Sequence, residues 1–257
     1  MASTAAISPT LSDERLADLL KLAAGADSVE LKLTLPETAH FATARALGMD
    51  PLDAQIRQVF FFDTPDLALN DQGVVVRARR VQGKRGDSVV KLRPVIPEEM
   101  PKALRKSQSF NVELDAMPGG HVCSATLKGR ADNAEVREVA HGGKRLSKLF
   151  SKEQRAFLSQ HAPDGPDLDE LSLLGPIPVM KLKFEPEGYD RRLVAELWLY
   201  PDGSRVFELS TKCEPRDAFN VAAQTRVFLS QHGVDLSGDQ QTKTKKALEY
   251  FSAQLKE

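Results

Sequence analysis

The alternation of apolar and polar residues predicts a chain built largely of β-strands. From Ser28 to Leu35, valine and leucine occupy every second position, and serine, glutamate, lysine and threonine occupy the positions between them. A period of two residues is typical of a strand with one apolar face. The same pattern predicts about eight strands in all, the others lying near residues 56–62, 73–82, 88–95, 110–114, 178–184, 193–200 and 205–213.

Apolar residues at helical spacing predict helices at both ends and in the middle of the chain. Residues 1–10 are small and polar and are expected to be disordered, and Ser12 can cap the first helix. No assignment follows for residues 118–148, where periodicity is weak. The predicted helices lie near residues 12–25, 37–48, 151–161, 215–232 and 239–255.

The predicted strands follow one another mostly through short turns, which is typical of hairpins. This order indicates an α+β fold: a closed or nearly closed antiparallel β-barrel of about eight strands with flanking helices. We expect an N-terminal tail and helix over residues 1–26 and the barrel over residues 27–213. A helical insertion is expected near residues 118–170, and C-terminal helices over residues 214–257 should pack on the barrel.

Charged residues recur at alternate positions of the predicted strands, and such side chains project from the same face. One interpretation is a solvated sheet face, which antiparallel sheets often have. The other is a barrel lumen that binds an anion such as phosphate, since like charges on one wet face repel. The sets are Glu30/Lys32, Arg77/Arg79, Lys91/Arg93, Lys181/Lys183 and Glu208/Ser210/Lys212.

The charge distribution favours a confined anion site. The 257 residues carry a net charge of −1, but seven lysines and arginines between Arg77 and Arg93 accompany a single acid, Asp87. A neutral total with a local basic excess argues against extended nucleic-acid binding.

The remaining composition predicts a cytoplasmic protein without a membrane or disulfide framework. The two cysteines, Cys123 and Cys213, lie far apart and in no metal-binding spacing. The N-terminal residues lack the features of a signal peptide, and no apolar run approaches the roughly 18 residues of a membrane span.

Several motifs together resemble the CYTH superfamily, the triphosphate tunnel proteins that include class IV adenylate cyclases, thiamine triphosphatases and inorganic triphosphatases. The resemblance spans roughly residues 27–213, and its block near residues 60–80 is the most specific. The motifs are Ser28-Val29-Glu30-Leu31-Lys32, Phe62-Asp63-Thr64-Pro65-Asp66, Gly73 followed by Arg77-Ala78-Arg79, the strand with Lys91, the strand with Lys181 and Lys183, Glu196, and Glu208-Leu209-Ser210.

The resemblance implies a basic tunnel that binds a triphosphate-containing anion, either inorganic triphosphate, ATP or another organic triphosphate, together with Mg²⁺ or Mn²⁺. It implies a metal-dependent triphosphatase or a cyclase of the class IV type, with Lys32 and Glu208 as catalytic residues. The implied phosphate-binding residues are Lys32, Arg77, Arg79, Lys91, Arg93, Lys181 and Lys183, and the implied metal ligands are Glu30, Glu113, Glu196 and Glu208.

Two serines depart from the family pattern, because Ser28 and Ser210 stand where the family has carboxylates. A serine hydroxyl is a weak neutral metal ligand, so a non-catalytic polyphosphate- or nucleotide-binding module is the alternative hypothesis. A third is an interaction protein whose helical C-terminus docks a partner. Lysines 243, 245 and 246 of that segment are expected to form a solvated face.

Overall fold

Nine strands close into a barrel in the computed structural model, which describes residues 13–240 and 243–256. The expected disordered tail and the cap at Ser12 lie outside the described residues. The strands are β1 (Ser28–Leu35), β2 (Gln55–Asp63), β3 (Val74–Val81), β4 (Gly86–Leu92), β5 (Phe110–Met117), β6 (Gly120–Ala131), β7 (Ser172–Phe184), β8 (Leu193–Leu199) and β9 (Arg205–Cys213).

The strand order around the barrel is β1-β5-β6-β4-β3-β2-β7-β8-β9, and β9 pairs with β1 to close it. Every neighbouring pair is antiparallel except β1 and β5, which run parallel. The predicted α+β barrel with flanking helices is therefore confirmed, with nine strands instead of about eight and with one parallel pair.

The additional strand, β6, lies in the segment that the sequence pattern left unassigned. Its small residues Cys123, Ser124 and Ala125 are buried in succession, so the strand shows no alternation between an apolar and a polar face. The segment expected to hold a helical insertion near 118–170 thus begins with a barrel strand, and its helices follow from residue 133.

Strand β7 begins at Ser172, six residues before the predicted start at residue 178. Pro176 and Pro178 lie within it, and proline argues against a strand because it cannot donate to the ladder. The register of β2 against β7 shifts between Val59 and Phe61, which accommodates the proline-containing stretch.

The helices cover the outside of the barrel and one of its ends. None among the described residues is long and apolar enough to cross a membrane. They are α1 (Asp13–Gly25), α2 (His40–Ala46), α3 (Ala68–Asp71), α4 (Lys102–Arg105), α5 (Asn133–Ala140), α6 (Lys152–His161), α7 (Ala218–Gln231) and α8 (Lys243–Lys256).

The strands turn their apolar faces outward, against these helices. On β3, Val76 and Ala78 belong to a buried apolar cluster, whereas Arg77 and Arg79 line the interior of the barrel. Helix α8 differs from the other helices because Leu248 and Phe251 pack into an apolar cluster with residues that also line the interior. The charged faces of most strands are therefore directed into the barrel, which excludes the solvated-face interpretation for them.

Candidate functional site

The barrel encloses a cavity of about 410 Å³ whose lining is dominated by charge. Ten cationic side chains and five carboxylates of the described residues line it. The cations are Lys32, Arg57, Arg77, Arg79, Lys91, Arg93, Lys128, Lys181, Lys212 and Lys243, and the carboxylates are Glu30, Glu113, Asp115, Glu196 and Glu208. The excess of positive charge makes the cavity suited to a polyanion.

The cavity has an open end and a closed end. Lys128 and Lys212 line it at the ends of β6 and β9, and their side chains are 57% and 55% exposed. At the other end, the apolar residues of α8 close the lumen, and the side chain of Lys243 is only 17% exposed. An anion can therefore enter past the exposed lysines.

Four arginines form what we call the arginine wall: Arg57 on β2, Arg77 and Arg79 on β3, and Arg93 directly after β4. Arg79 makes a bidentate pair with Asp87, with N–O distances of 2.8 and 2.6 Å. Within the described part of the chain, the other three have no carboxylate within 4 Å, and Nε of Arg77 is buried without a hydrogen-bond partner.

The buried Nε of Arg77 is costly in the protein alone because it has no hydrogen-bond partner. Burial, together with the neighbouring Arg79, lowers the pKa of Arg77 to about 9. A buried donor without a partner is rare in native proteins and calls for a ligand or a water. The arginine wall therefore lacks the negative charge that would complete it.

Five carboxylates form the carboxylate wall, which runs over the adjacent strands β5, β1, β9 and β8: Glu113 and Asp115, Glu30, Glu208, and Glu196. Each has a lysine partner. Lys32 lies 3.1 Å from Glu30 and 2.9 Å from Asp115. Lys212 contacts Glu113, and Lys181 lies 2.6 Å from Glu196. Lys243 contacts Glu196 and lies 2.7 Å from Glu208. This wall neutralises itself.

The pKa values on the carboxylate wall reflect this pairing. Burial opposes ionisation of Glu30, but Lys32 and Lys243 outweigh it and lower the pKa of Glu30 to about 2. Burial likewise opposes the charged form of Lys32, yet Asp115 and Glu30 raise its pKa above the ordinary value. Both groups are thus charged throughout the neutral range.

The two serines that stand where the family pattern has carboxylates, Ser28 and Ser210, are each hydrogen-bonded to a glutamate of the carboxylate wall. Ser28 Oγ donates to Glu113 at 3.2 Å, and Ser210 Oγ donates to Glu30 at 2.9 Å. Oxygen atoms of Glu30, Glu113 and Asp115 all lie within 4.8 Å of one another, so these three could hold a metal ion.

The structure brings most of the sequence-predicted site residues into this one cavity: Glu30, Lys32, Arg77, Arg79, Lys91, Arg93, Glu113, Lys181, Glu196 and Glu208. It does not bring Lys183 there. That lysine is exposed near the end of β7 and does not line the cavity.

Sequence reasoning missed five charged lining residues: Arg57, Asp115, Lys128, Lys212 as a site residue, and Lys243. Asp115 could have been found from its i+2 spacing to Glu113 on a strand. Lys128 lies on the strand that was not predicted. Lys243 was expected on a solvated face, and that expectation is wrong, because the start of α8 is placed over the closed end of the barrel.

Comparisons with known proteins identify the fold. No protein-family model matches the chain, and no curated protein matches it in sequence. A candidate adenylate cyclase from Bacillus halodurans is 13% identical, with a TM-score of 0.60, and the match covers 86% of this chain and 97% of that one. A candidate adenylyl cyclase from Hippeastrum, described as having a dominant triphosphatase activity, is 17% identical with a TM-score of 0.59, covering 82% and 91%. The chain therefore shares the fold of these two proteins.

Proposed function

We propose that the chain binds a triphosphate-containing anion together with Mg²⁺ or Mn²⁺ in its cavity and hydrolyses it. The observation that carries this proposal is the buried Nε of Arg77, which has no hydrogen-bond partner and lies in the same cavity as five carboxylates. Guanidinium groups bind phosphate oxygens with two parallel hydrogen bonds, so a phosphate chain would complete the arginine wall. The Hippeastrum neighbour's triphosphatase activity agrees with hydrolysis.

The carboxylates Glu30, Glu113 and Asp115 fit a divalent metal, because Mg²⁺ and Mn²⁺ prefer oxygen ligands and these three converge within 4.8 Å. When bound, the ion neutralises charge on the phosphate oxygens and orients them. Lys32 and Lys212, which now hold these carboxylates, would then be released to face the phosphate chain.

In the proposed reaction a water molecule attacks the terminal phosphorus of tripolyphosphate, the bridging P–O bond breaks, and diphosphate leaves while orthophosphate forms. Catalysis of phosphoryl transfer is mostly positioning and charge stabilisation. Arg77, Arg79 and Lys91 would fix the chain, while Lys32 would stabilise the charge that develops on it. Glu208, 2.7 Å from Lys243, has one carboxylate oxygen in that contact and could orient the water with the other.

Hydrolysis is favoured over cyclisation of ATP because the cavity offers little for a nucleobase. The aromatic residues among its lining are Phe61 and Trp198, both at the closed end, and the indole N–H of Trp198 already donates to Glu196 at 3.2 Å. At the open end the described lining holds no aromatic residue on which a base could stack.

The test is release of orthophosphate from tripolyphosphate and from ATP, each with Mg²⁺, with Mn²⁺ and with a chelator. We expect metal-dependent release from tripolyphosphate and no cyclic nucleotide from ATP. Lys181→Met should reduce the rate, whereas Lys183→Met is the matched control outside the cavity and should not. No release from any substrate with either metal would contradict the proposal.

A second function, binding without turnover, is favoured by Ser28 and Ser210. Each donates a hydrogen bond to a neighbouring carboxylate and supplies no negative charge of its own. Calorimetry would then show tripolyphosphate binding that scarcely changes when divalent metal is removed. If the double substitution Ser28→Glu and Ser210→Glu gained metal-dependent hydrolysis that the unmodified chain lacks, the second function would hold.

A further inference from the structure

The ammonium group of Lys243 occupies the position between two carboxylates of the cavity. Its Nζ contacts Oε2 of Glu196 and lies 2.7 Å from Oε1 of Glu208. These two residues are direct neighbours on β8 and β9. A cation that bridges two carboxylates on adjacent strands stands where a divalent metal would stand if both were its ligands.

Both oxygens of the Glu196 carboxylate accept hydrogen bonds from protein partners. One oxygen accepts from Lys181 at 2.6 Å, and the other accepts from Lys243 and from the indole of Trp198. Burial opposes ionisation of Glu196, but Lys243 and Lys181 hold its pKa well below the ordinary value. A metal ion at Glu196 would therefore have to compete with two ammonium groups and the indole N–H for this carboxylate.

Three features hold Lys243 in this position. The Tyr200 hydroxyl donates to the backbone oxygen of Lys243 at 3.0 Å. The Nζ atom lies 5.4 Å from the centre of the Trp198 ring, a distance at which a cation is attracted by the ring. One turn further along, Ala247 and Leu248 are fully buried in the apolar cluster that closes the barrel. Withdrawal of the lysine would therefore require this packing to move.

We infer that Lys243 is a built-in counter-cation that closes the Glu196–Glu208 pair to divalent metal and confines the ion to Glu30, Glu113 and Asp115. The inference rests on the proposed function for the existence of that single metal site. It assigns Glu196 and Glu208 to the lysine and so departs from the metal-binding role that the family resemblance implies for them.

The experiment counts Mn²⁺ ions on the full chain by calorimetry and by electron paramagnetic resonance of free Mn²⁺. The unmodified chain is expected to bind one ion. Lys243→Met keeps the apolar stem but removes the ammonium, and should bind one ion more than the unmodified chain. Lys245→Met, two residues further along the same helix, where the side chain is 68% exposed, is the control and should bind as the unmodified chain does.

Trp198 gives an independent readout, since it is the only tryptophan in the chain. Bound Mn²⁺ quenches a fluorophore that it touches, so Mn²⁺ should quench Trp198 strongly in Lys243→Met and weakly in the unmodified chain. Far-ultraviolet circular dichroism and a melting curve verify that Lys243→Met is folded. If it does not fold, Lys243→Gln, which keeps a hydrogen-bond donor but no charge, replaces it with the same expectations.

The outcomes separate this inference from the proposed function. One additional ion in Lys243→Met, when the unmodified chain binds one ion or none, supports the inference. No binding to the unmodified chain contradicts the proposed metal site. Two ions on the unmodified chain, or no difference between it and Lys243→Met, overturns the inference and leaves the proposed function standing.

Discussion

The two walls of the cavity are both lined with buried charge, but only one of them is balanced. On the carboxylate wall every carboxylate has a lysine within 4 Å. On the arginine wall, Arg79 has Asp87, and Arg57, Arg77 and Arg93 have no such partner among the described residues. A self-neutralised wall is stable without a ligand, whereas an unbalanced one is a place prepared for an anion.

The two walls also differ in the type of cation that they carry, arginine on one and lysine on the other. The planar guanidinium is suited to bidentate binding of phosphate, and the lysine ammonium is a compact charge that can exchange one oxygen partner for another. Lysines such as Lys32 and Lys212 can therefore pass from carboxylate to phosphate when a metal arrives. The arginines need no such exchange.

The largest expected effect comes from breaking the balance of the carboxylate wall. Lys32→Met should destabilise the ligand-free protein by about 3–5 kcal/mol, because it leaves the half-buried Glu30 and the buried Asp115 without their shared partner. Urea unfolding measures the change. A loss below about 1 kcal/mol would mean that this wall is not held by its ion pairs.

The same kind of substitution on the arginine wall should act in the opposite direction. Arg77→Met removes a buried, unpaired cation that repels Arg79, so the stability of the ligand-free protein should stay the same or rise. The affinity for tripolyphosphate should fall about 100-fold, since a charge-assisted hydrogen bond contributes roughly 1.5–3 kcal/mol. Unfolding without ligand measures the stability, and calorimetry measures the affinity for tripolyphosphate. If Arg77→Met lowered both the stability and the affinity, the two walls would not differ in the way described.

Acid should weaken the carboxylate wall through protonation of Glu30. The pKa of Glu30 is lowered from 4.5 to about 2 in the folded protein, so the unfolded chain binds more protons between these pH values. The stability that Glu30 contributes is present above about pH 4.5 and is lost as the pH falls towards 2. Glu30→Gln should flatten the stability profile in this window.

The control for the acid experiment is Glu185→Gln, which removes an exposed glutamate that pairs with Arg192 at the surface. Exposed pairs contribute little, so this variant should follow the unmodified profile. Equal profiles for all three proteins would show that Glu30 is not held ionised by its lysines.

The smallest expected effect concerns the serine that departs from the family pattern. Ser210→Ala removes the hydrogen bond to Glu30 and should cost about 1 kcal/mol of stability. Thr244→Val, a cavity-lining change on α8 that touches no carboxylate in the described contacts, is a matched control in thermal unfolding. If the stability of Ser210→Ala equalled that of the unmodified chain, the hydroxyl of Ser210 would contribute nothing to the stability of the carboxylate wall.

The arginine pair on β3 was easier to predict from the sequence than the lysine partners of the carboxylate wall. Arg77 and Arg79 stand two residues apart on a strand, so their common face follows from the period of a strand. The lysine partners could not be predicted in this way. Lys243 reaches Glu196 across 47 residues of chain, and its position depends on where α8 packs.

Short-range patterns also explain the strand that was missed. Residues that are buried on both faces of a strand lose the alternation that identifies it, as Cys123 to Ala125 show on β6. For Lys183 the alternation is present but misleads. The lysine lies on the same face of β7 as Lys181, but at a point of the strand that is already outside the cavity.

A crystal structure of the chain with tripolyphosphate and Mn²⁺ tests the central claim most directly. The account predicts phosphate oxygens in the cavity at hydrogen-bond distance, about 3 Å, from Nε of Arg77 and from Arg93. It also predicts Lys32 turned from Glu30 and Asp115 towards the phosphates. Phosphate bound only to exposed lysines outside the barrel, with Arg77 still unpaired, would contradict it.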